Sequence, residues 1–210
     1  GVGDRVMDKA PLKIEEYTDN IRTTWLEGHQ GAKERWGLVA ISLGGMIAMD
    51  WVSQYPQDFE YLTLMNTSAT NVCGTFERLK PKALKTFLKL MANKDIDSRE
   101  EEILKLTTHL VDISPSLVKK WADIQRDCSV SRETFIRQIV AASQYKAPSS
   151  LTPKPLIMVS ESDQLTASDC SKKLAKHFQV PYHTHLTAGH DITLDDPQWV
   201  VKRLLEHIKK

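Results

Sequence analysis

Ser42 closes the apolar run Trp36-Gly37-Leu38-Val39-Ala40-Ile41 and opens into Leu43-Gly44-Gly45 and a stretch that must be helical. A serine at a sharp bend between a strand and a helix can act as a nucleophile. The bend lifts its hydroxyl clear of the sheet edge, and the helix beginning at Leu43 aims free backbone N–H groups at any oxyanion formed there. Such a bend strains the backbone, so its neighbours must be small, as Ala40, Gly44 and Gly45 are. The usual pattern is G-x-S-x-G, and Ala40 stands for its first glycine. Taken alone, a serine in that position reads as a helix N-cap. A nucleophilic serine also needs a base, and the base needs a group that orients it.

Two later loops offer those partners. The run Leu156-Ile157-Met158-Val159, introduced by Pro153 and Pro155, reads as a strand, and Ser160-Glu161-Ser162-Asp163 follows it. An acid just past a buried parallel strand sits at the carboxyl edge of the sheet, where open α/β folds carry their chemistry. Tyr182-His183-Thr184-His185-Leu186 reads as another strand, with Ala188-Gly189-His190-Asp191 in the loop beyond. The order Ser42, Asp163, His190 is that of α/β hydrolases rather than of chymotrypsin or subtilisin. Glu161 is an alternative orienter, whereas Asp169 suits the first turn of the following helix, where its charge complements the dipole.

The stretches 36–56, 156–165 and 188–197 resemble the α/β hydrolase superfamily, in particular its capped, cofactor-free serine hydrolases. The resemblance implies Ser42 as nucleophile, His190 as general base and then acid, Asp163 as its orienter, and the Leu43 N–H as an oxyanion-hole donor. It also implies that no metal, flavin or nucleotide takes part. A serine at the elbow argues against the family's dehalogenases, whose nucleophile is an aspartate.

The elements that must position these residues follow from hydrophobic spacing. Leu12, Ile14, Tyr17, Ile21 and Trp25 recur at helical intervals and predict an amphipathic helix ending near Gly28, with a polar loop before the elbow strand. The helix after Ser42 is apolar on nearly all sides except at Asp50, as a buried helix must be. Residues 59–65 return as a strand, which Asn66-Thr67-Ser68 leaves. From 71 to 148 no strand is expected, and helices are predicted at 81–91, 99–110, 116–124 and 132–145. The expected organisation is an α/β-hydrolase core at 1–70 and 149–210, with a mostly parallel sheet, and a helical cap at 71–148 that roofs the site. Helices at 168–178 and 197–208 complete the core. Trp121 and Phe135 either line an acyl pocket or pack between cap helices. The lysines at 80, 82, 85 and 89 read as a solvated helix face.

Composition narrows the rest. A chain of 210 residues with net charge +1 offers no electrostatic case for nucleic acid. Cys73, Cys128 and Cys170 are widely spaced, odd in number and free of any C-x-x-C pair, so neither a disulfide scaffold nor a zinc site is expected, and a reducing, cytoplasmic setting is. His183-x-His185 puts two rings on one face of a strand, but it lacks the further ligands a metallohydrolase needs. No run approaches the roughly 20 apolar residues that span a bilayer, so no stable membrane insertion is expected. The partner expected is a small-molecule substrate.

Gly1-Val2-Gly3-Asp4 resembles the tail of the loop after the family's fourth strand. The expectation is therefore a chain without the family's N-terminal strands, a fragment of a longer one, with an open edge on the elbow strand. The loop that in the family supplies the second oxyanion donor is then absent too, and loss of one donor typically costs about 2.7–4 kcal/mol of transition-state stabilisation. The activity implied is hydrolysis of a carboxylic ester or related acyl bond of a small, partly apolar substrate. The alternative is a weakly catalytic ligand-binding or scaffold protein of the same fold.

Overall fold

The computed structural model describes residues 2–29 and 35–209, so most of the polar loop expected before the elbow strand lies outside the described residues, as does Gly1. The chain runs through α1 (Ile14–Gly28), β1 (Gly37–Ile41), α2 (Leu43–Gln54) and β2 (Tyr61–Met65). A helical insertion follows, made of α3 (Thr75–Arg78), α4 (Pro81–Ala92), α5 (Ile96–Thr107), α6 (Pro115–Asp127) and α7 (Arg132–Gln144). The core resumes with β3 (Pro155–Ser160), α8 (Ser168–Phe178), β4 (Tyr182–His185), α9 (Ile192–Asp195) and α10 (Pro197–Ile208).

The strands lie in the order β1-β2-β3-β4 and every pairing is parallel. Parallel strands need crossovers, and these put helices on both faces of the sheet, so its central strands can be continuously apolar. All six residues of β3 are buried accordingly. Alternation along the strands makes two cores. Leu62, Leu64, Ile157 and Val159 pack with Met49 and Trp51 of α2 and with Leu174 and Phe178 of α8. Met65, Leu156 and Met158 pack on the other face with Ile192 and Val200. The first helix docks outside α2, where Trp25 lies 5.8 Å from Trp51 and 5.5 Å from Phe59 between ring centroids.

Inside the insertion the helix starts follow local chemistry. The Asp95, Ser114 and Ser131 side chains accept from the backbone N–H groups of Ser98, Leu117 and Thr134. Pro81 and Pro115 occupy the first helical positions, where a missing N–H does no harm. The Asp95 cap explains why α5 begins at Ile96 rather than at the expected 99.

Two features bear on the expectations. Cys73 and Cys170 form a disulfide across 97 residues, tying the approach to the insertion to α8, and Cys128 is free. This corrects the expectation that the cysteine spacing suggests no disulfide framework: partners that meet only through the fold leave no spacing signal. It also removes the observation that had pointed to a reducing compartment. Among the described residues β1 pairs with β2 alone, and Val39 is 48% exposed.

Candidate active site

Ser42 sits between β1 and α2 with φ 54° and ψ −123°, a conformation L residues avoid, with strain of order 1–3 kcal/mol. The surroundings hold it there. Its N–H donates to the Met65 carbonyl at 2.9 Å, its carbonyl accepts from Gly45 N–H at 3.0 Å, and the Thr67 hydroxyl donates to the same carbonyl at 2.7 Å. The Ser42 side chain makes no capping bond to α2, so the N-cap reading does not describe it. Gly45 is small for a steric reason, since a Cβ there would lie 2.6 Å from Thr67 Cβ. Gly44 is less constrained, with only the Ala40 Cβ at 4.0 Å.

Asp163 and His190 meet in the loops after β3 and β4. His190 Nδ1 donates to Asp163 Oδ2 at 2.7 Å, with both side chains buried. The same carboxylate accepts from the N–H groups of Leu165 and Thr166 at 2.7 and 2.8 Å and from the Thr166 hydroxyl at 2.6 Å. Burial pushes the Asp163 carboxyl up, but His190, through its hydrogen bond and charge, and Thr166 together outweigh it and hold the group below the usual carboxylate range. An ionised Asp163 fixes the tautomer of His190 with the proton on Nδ1, which leaves Nε2 with a lone pair.

Asn66, the residue after β2, links these loops. Its φ is 45°, its amide donates to the His190 carbonyl at 2.7 Å and to Ser160 Oγ at 2.9 Å, and its Oδ1 accepts from Ser160 N–H at 2.8 Å. A second clamp joins the histidine loop to the insertion. The Asp195 carboxylate accepts from the N–H groups of His109, Leu110, Val111 and Gly189. Gly189 approaches so closely that a Cβ there would lie 2.7 Å from the Thr107 carbonyl oxygen.

A cavity of about 260 Å³ opens beside Ser42 and Leu43, between the sheet edge and the insertion. Met46, Leu79, Phe87, Phe135 and Ile139 give it an apolar lining, and Asn66, Thr67 and Thr166 border it. Leu43 is the first residue of α2, one of the positions whose N–H has no partner inside the helix.

No protein-family model matches the sequence and no curated protein matches it. Solved structures do. The chain is similar to the 2-hydroxy-6-oxo-6-phenylhexa-2,4-dienoate hydrolase from Rhodococcus sp. strain RHA1, with a TM-score of 0.73 and 18% identity over 97% of this chain and 74% of that one. An esterase from Exiguobacterium antarcticum matches with a TM-score of 0.70 and 14% identity over 97% of this chain and 76% of that one. A hydrolase from Pseudomonas aeruginosa PA01 gives 0.70 and 18%, over 97% and 74%. The fold is that of the α/β hydrolases.

Within this α/β-hydrolase fold the other sequence expectations find their places. Glu161 pairs with Lys172 at 2.6 Å and accepts from Ser168 at 2.9 Å, away from His190, and Asp169 lies in the first turn of α8. His185 Nδ1 accepts from Ala188 N–H at 2.9 Å while Nε2 faces Asp196 Oδ2 at 3.1 Å, so both of its nitrogens are engaged in shaping the histidine loop. His183 lines a groove with Arg203 and Glu206. Among the described residues no cluster of three or more His, Cys, Asp or Glu is arranged to hold a metal, and no helix is long and apolar enough to cross a membrane. Of the two aromatics of the insertion, Phe135 lines the cavity and stacks edge-on against Phe87 at 5.1 Å; Trp121 is not among the lining residues. The lysine face needs correction in part. Lys80 donates to the Asp163 carbonyl and Lys82 to the Gln164 side chain, so these two bind the acid loop rather than solvent alone. Sequence reasoning gave no role to Thr67, just past β2, to Thr166, in the loop after β3, or to Asp195, at the end of α9.

Proposed function

We propose that the protein is a serine hydrolase that cleaves a carboxylic ester or related acyl bond of a small, partly apolar substrate. Ser42 is the nucleophile, His190 the base, Asp163 the group that orients it, and the Leu43 N–H a donor to the oxyanion. The helical insertion acts as the cap over the substrate. The observation that carries this reading is a strained serine opening on an apolar cavity at the same sheet edge as a buried Asp163–His190 pair.

In the proposed cycle His190 Nε2 takes the Ser42 proton as Ser42 Oγ bonds to the carbonyl carbon. The tetrahedral oxyanion is stabilised by N–H donors at the start of α2. Collapse breaks the bond to the leaving alkoxide, which receives the proton from His190, and an acyl-enzyme remains. Water then gives a proton to His190 and attacks the acyl carbon, and the acid leaves as Ser42 regains its proton. Asp163 stays ionised throughout and stabilises the imidazolium.

The test is intact-mass spectrometry before and after a fluorophosphonate probe, followed by panels of esters and thioesters. One adduct, lost in Ser42→Ala, supports an activated serine. A folded protein without an adduct would replace this reading with that of a ligand-binding protein on the same fold.

A further inference from the structure

Arg78, at the end of α3, is 6% exposed and borders the Ser42 cavity. Among the described residues it is the one charged residue lining that cavity. Its guanidinium is held by neutral groups only. Nε donates to Ser68 Oγ at 2.8 Å, and Nη1 donates to Thr70 Oγ1 at 3.1 Å and to the Ala142 carbonyl at 2.7 Å. Nη2 has only Met46 Sδ at 3.5 Å, a weak acceptor, and Met46 lines the same cavity. Among the described residues no carboxylate pairs with Arg78. Burial alone pulls its pKa down from the usual guanidinium value, as expected of a cation without an anionic neighbour.

A buried charge is tolerated when an opposite charge meets it, and none of the described residues supplies one here. The anchored Nε and Nη1 hold the guanidinium plane rigid, while Nη2 stays uncommitted beside the cavity. A guanidinium held in this way has donor capacity left only on Nη2, which can give a charge-assisted hydrogen bond to a carboxylate oxygen. One positive charge among neutral lining residues balances one negative charge, whereas a phosphate dianion would leave an excess.

We infer that Arg78 is a specificity residue and that the ligand of this cavity carries a carboxylate, as in the monoester of a short dicarboxylic acid. This inference rests on the hydrolase reading for the ester but on the cavity alone for the anion. In the proposed cycle the carboxylate on Arg78 fixes the direction in which the acyl chain lies, so that the ester carbonyl is presented to Ser42.

Binding tests the anion without requiring turnover. Calorimetry on Ser42→Ala protein compares monomethyl glutarate and the monomethyl esters of neighbouring diacids with uncharged methyl esters of equal chain length. At least one monoester should bind tenfold or more tightly than its uncharged counterpart, and Arg78→Gln should remove that preference while leaving the uncharged ester's affinity unchanged. Arg78→Lys, which keeps the charge and loses the planar guanidinium, should retain part of it. Equal affinity for charged and uncharged members throughout the series overturns the inference. If Arg78→Gln does not fold, the preference in the Ser42→Ala protein still decides. Failure of the fluorophosphonate label with the anion preference intact would refute the hydrolase reading and keep the carboxylate site.

Discussion

At the scale of single residues, the candidate site depends on groups whose alternatives are physically poor. Asp163 accepts from Leu165, Thr166 and His190, so an amide in its place presents an N–H to donors and disturbs the His190 tautomer. Asp163→Asn should lower kcat by about 10⁴-fold with little change in KM, as measured on whichever ester proves the best substrate. The same residue sets an acid limb of stability. Its folded pKa lies below its unfolded one, so the unfolded chain binds more protons in that window. The stabilisation is complete above the unfolded value of about 3.9 and is lost as pH falls through the folded one. Urea unfolding between pH 6 and pH 3 should fall steeply toward acid in the wild type and less so in Asp163→Asn. Gly45 offers a steric test. Gly45→Ala should destabilise by about 1–3 kcal/mol, and Thr67→Gly, which removes the Cβ 2.6 Å away, should restore part of that in the double variant. Additive losses in thermal melts would disprove the clash.

At the scale of elements, the histidine loop belongs mechanically to both the core and the insertion. Asn66 holds it from the end of β2, and Asp195 of α9 ties it to the segment after α5. A carboxylate accepting four backbone N–H groups makes charge-assisted bonds, each worth about 1.5–3 kcal/mol when its acceptor is deleted. Asp195→Ala should therefore lower the melting temperature and also reduce kcat, because the loop carrying His190 loses its tie to the insertion. Unchanged kcat in a folded variant would show that the core alone positions the loop. The insertion helices themselves were legible, since their apolar spacing and their proline, serine and aspartate starts are local properties. Which of their side chains face the cavity was not: Phe135 and Trp121 look alike in sequence, and only the packing of α4 against α7 brings Phe135 and Phe87 to Ser42.

At the scale of the whole molecule, two long-range features are open to measurement. The Cys73–Cys170 bond closes a loop of 97 residues, and such closures stabilise by about 2–5 kcal/mol. Mass spectrometry under alkylating conditions should find Cys128 modified and the other two protected, and reduction should lower the melting temperature. Three alkylated cysteines in the unreduced native protein would contradict the pairing. The other feature is β1, which among the described residues pairs with β2 alone, with Val39 48% exposed. Val39→Lys should reduce concentration-dependent light scattering without changing the melting temperature by more than a degree or two, because charge on an edge opposes strand addition.

What the sequence by itself determined is local in origin: the strand, bend and helix around Ser42, the helical insertion, and the order of serine, acid and histidine, each just after a strand. Apolar periodicity and small residues at the bend specify these through contacts between neighbours in the chain. The tertiary structure alone decided the partners. It brought Asp163 to His190, Thr67 to the Ser42 carbonyl, Cys73 to Cys170 and Arg78 to the cavity. These meetings join residues far apart in the chain, and their positions follow from how the parallel strands are ordered and where the crossover connections return. No spacing in the sequence records that geometry.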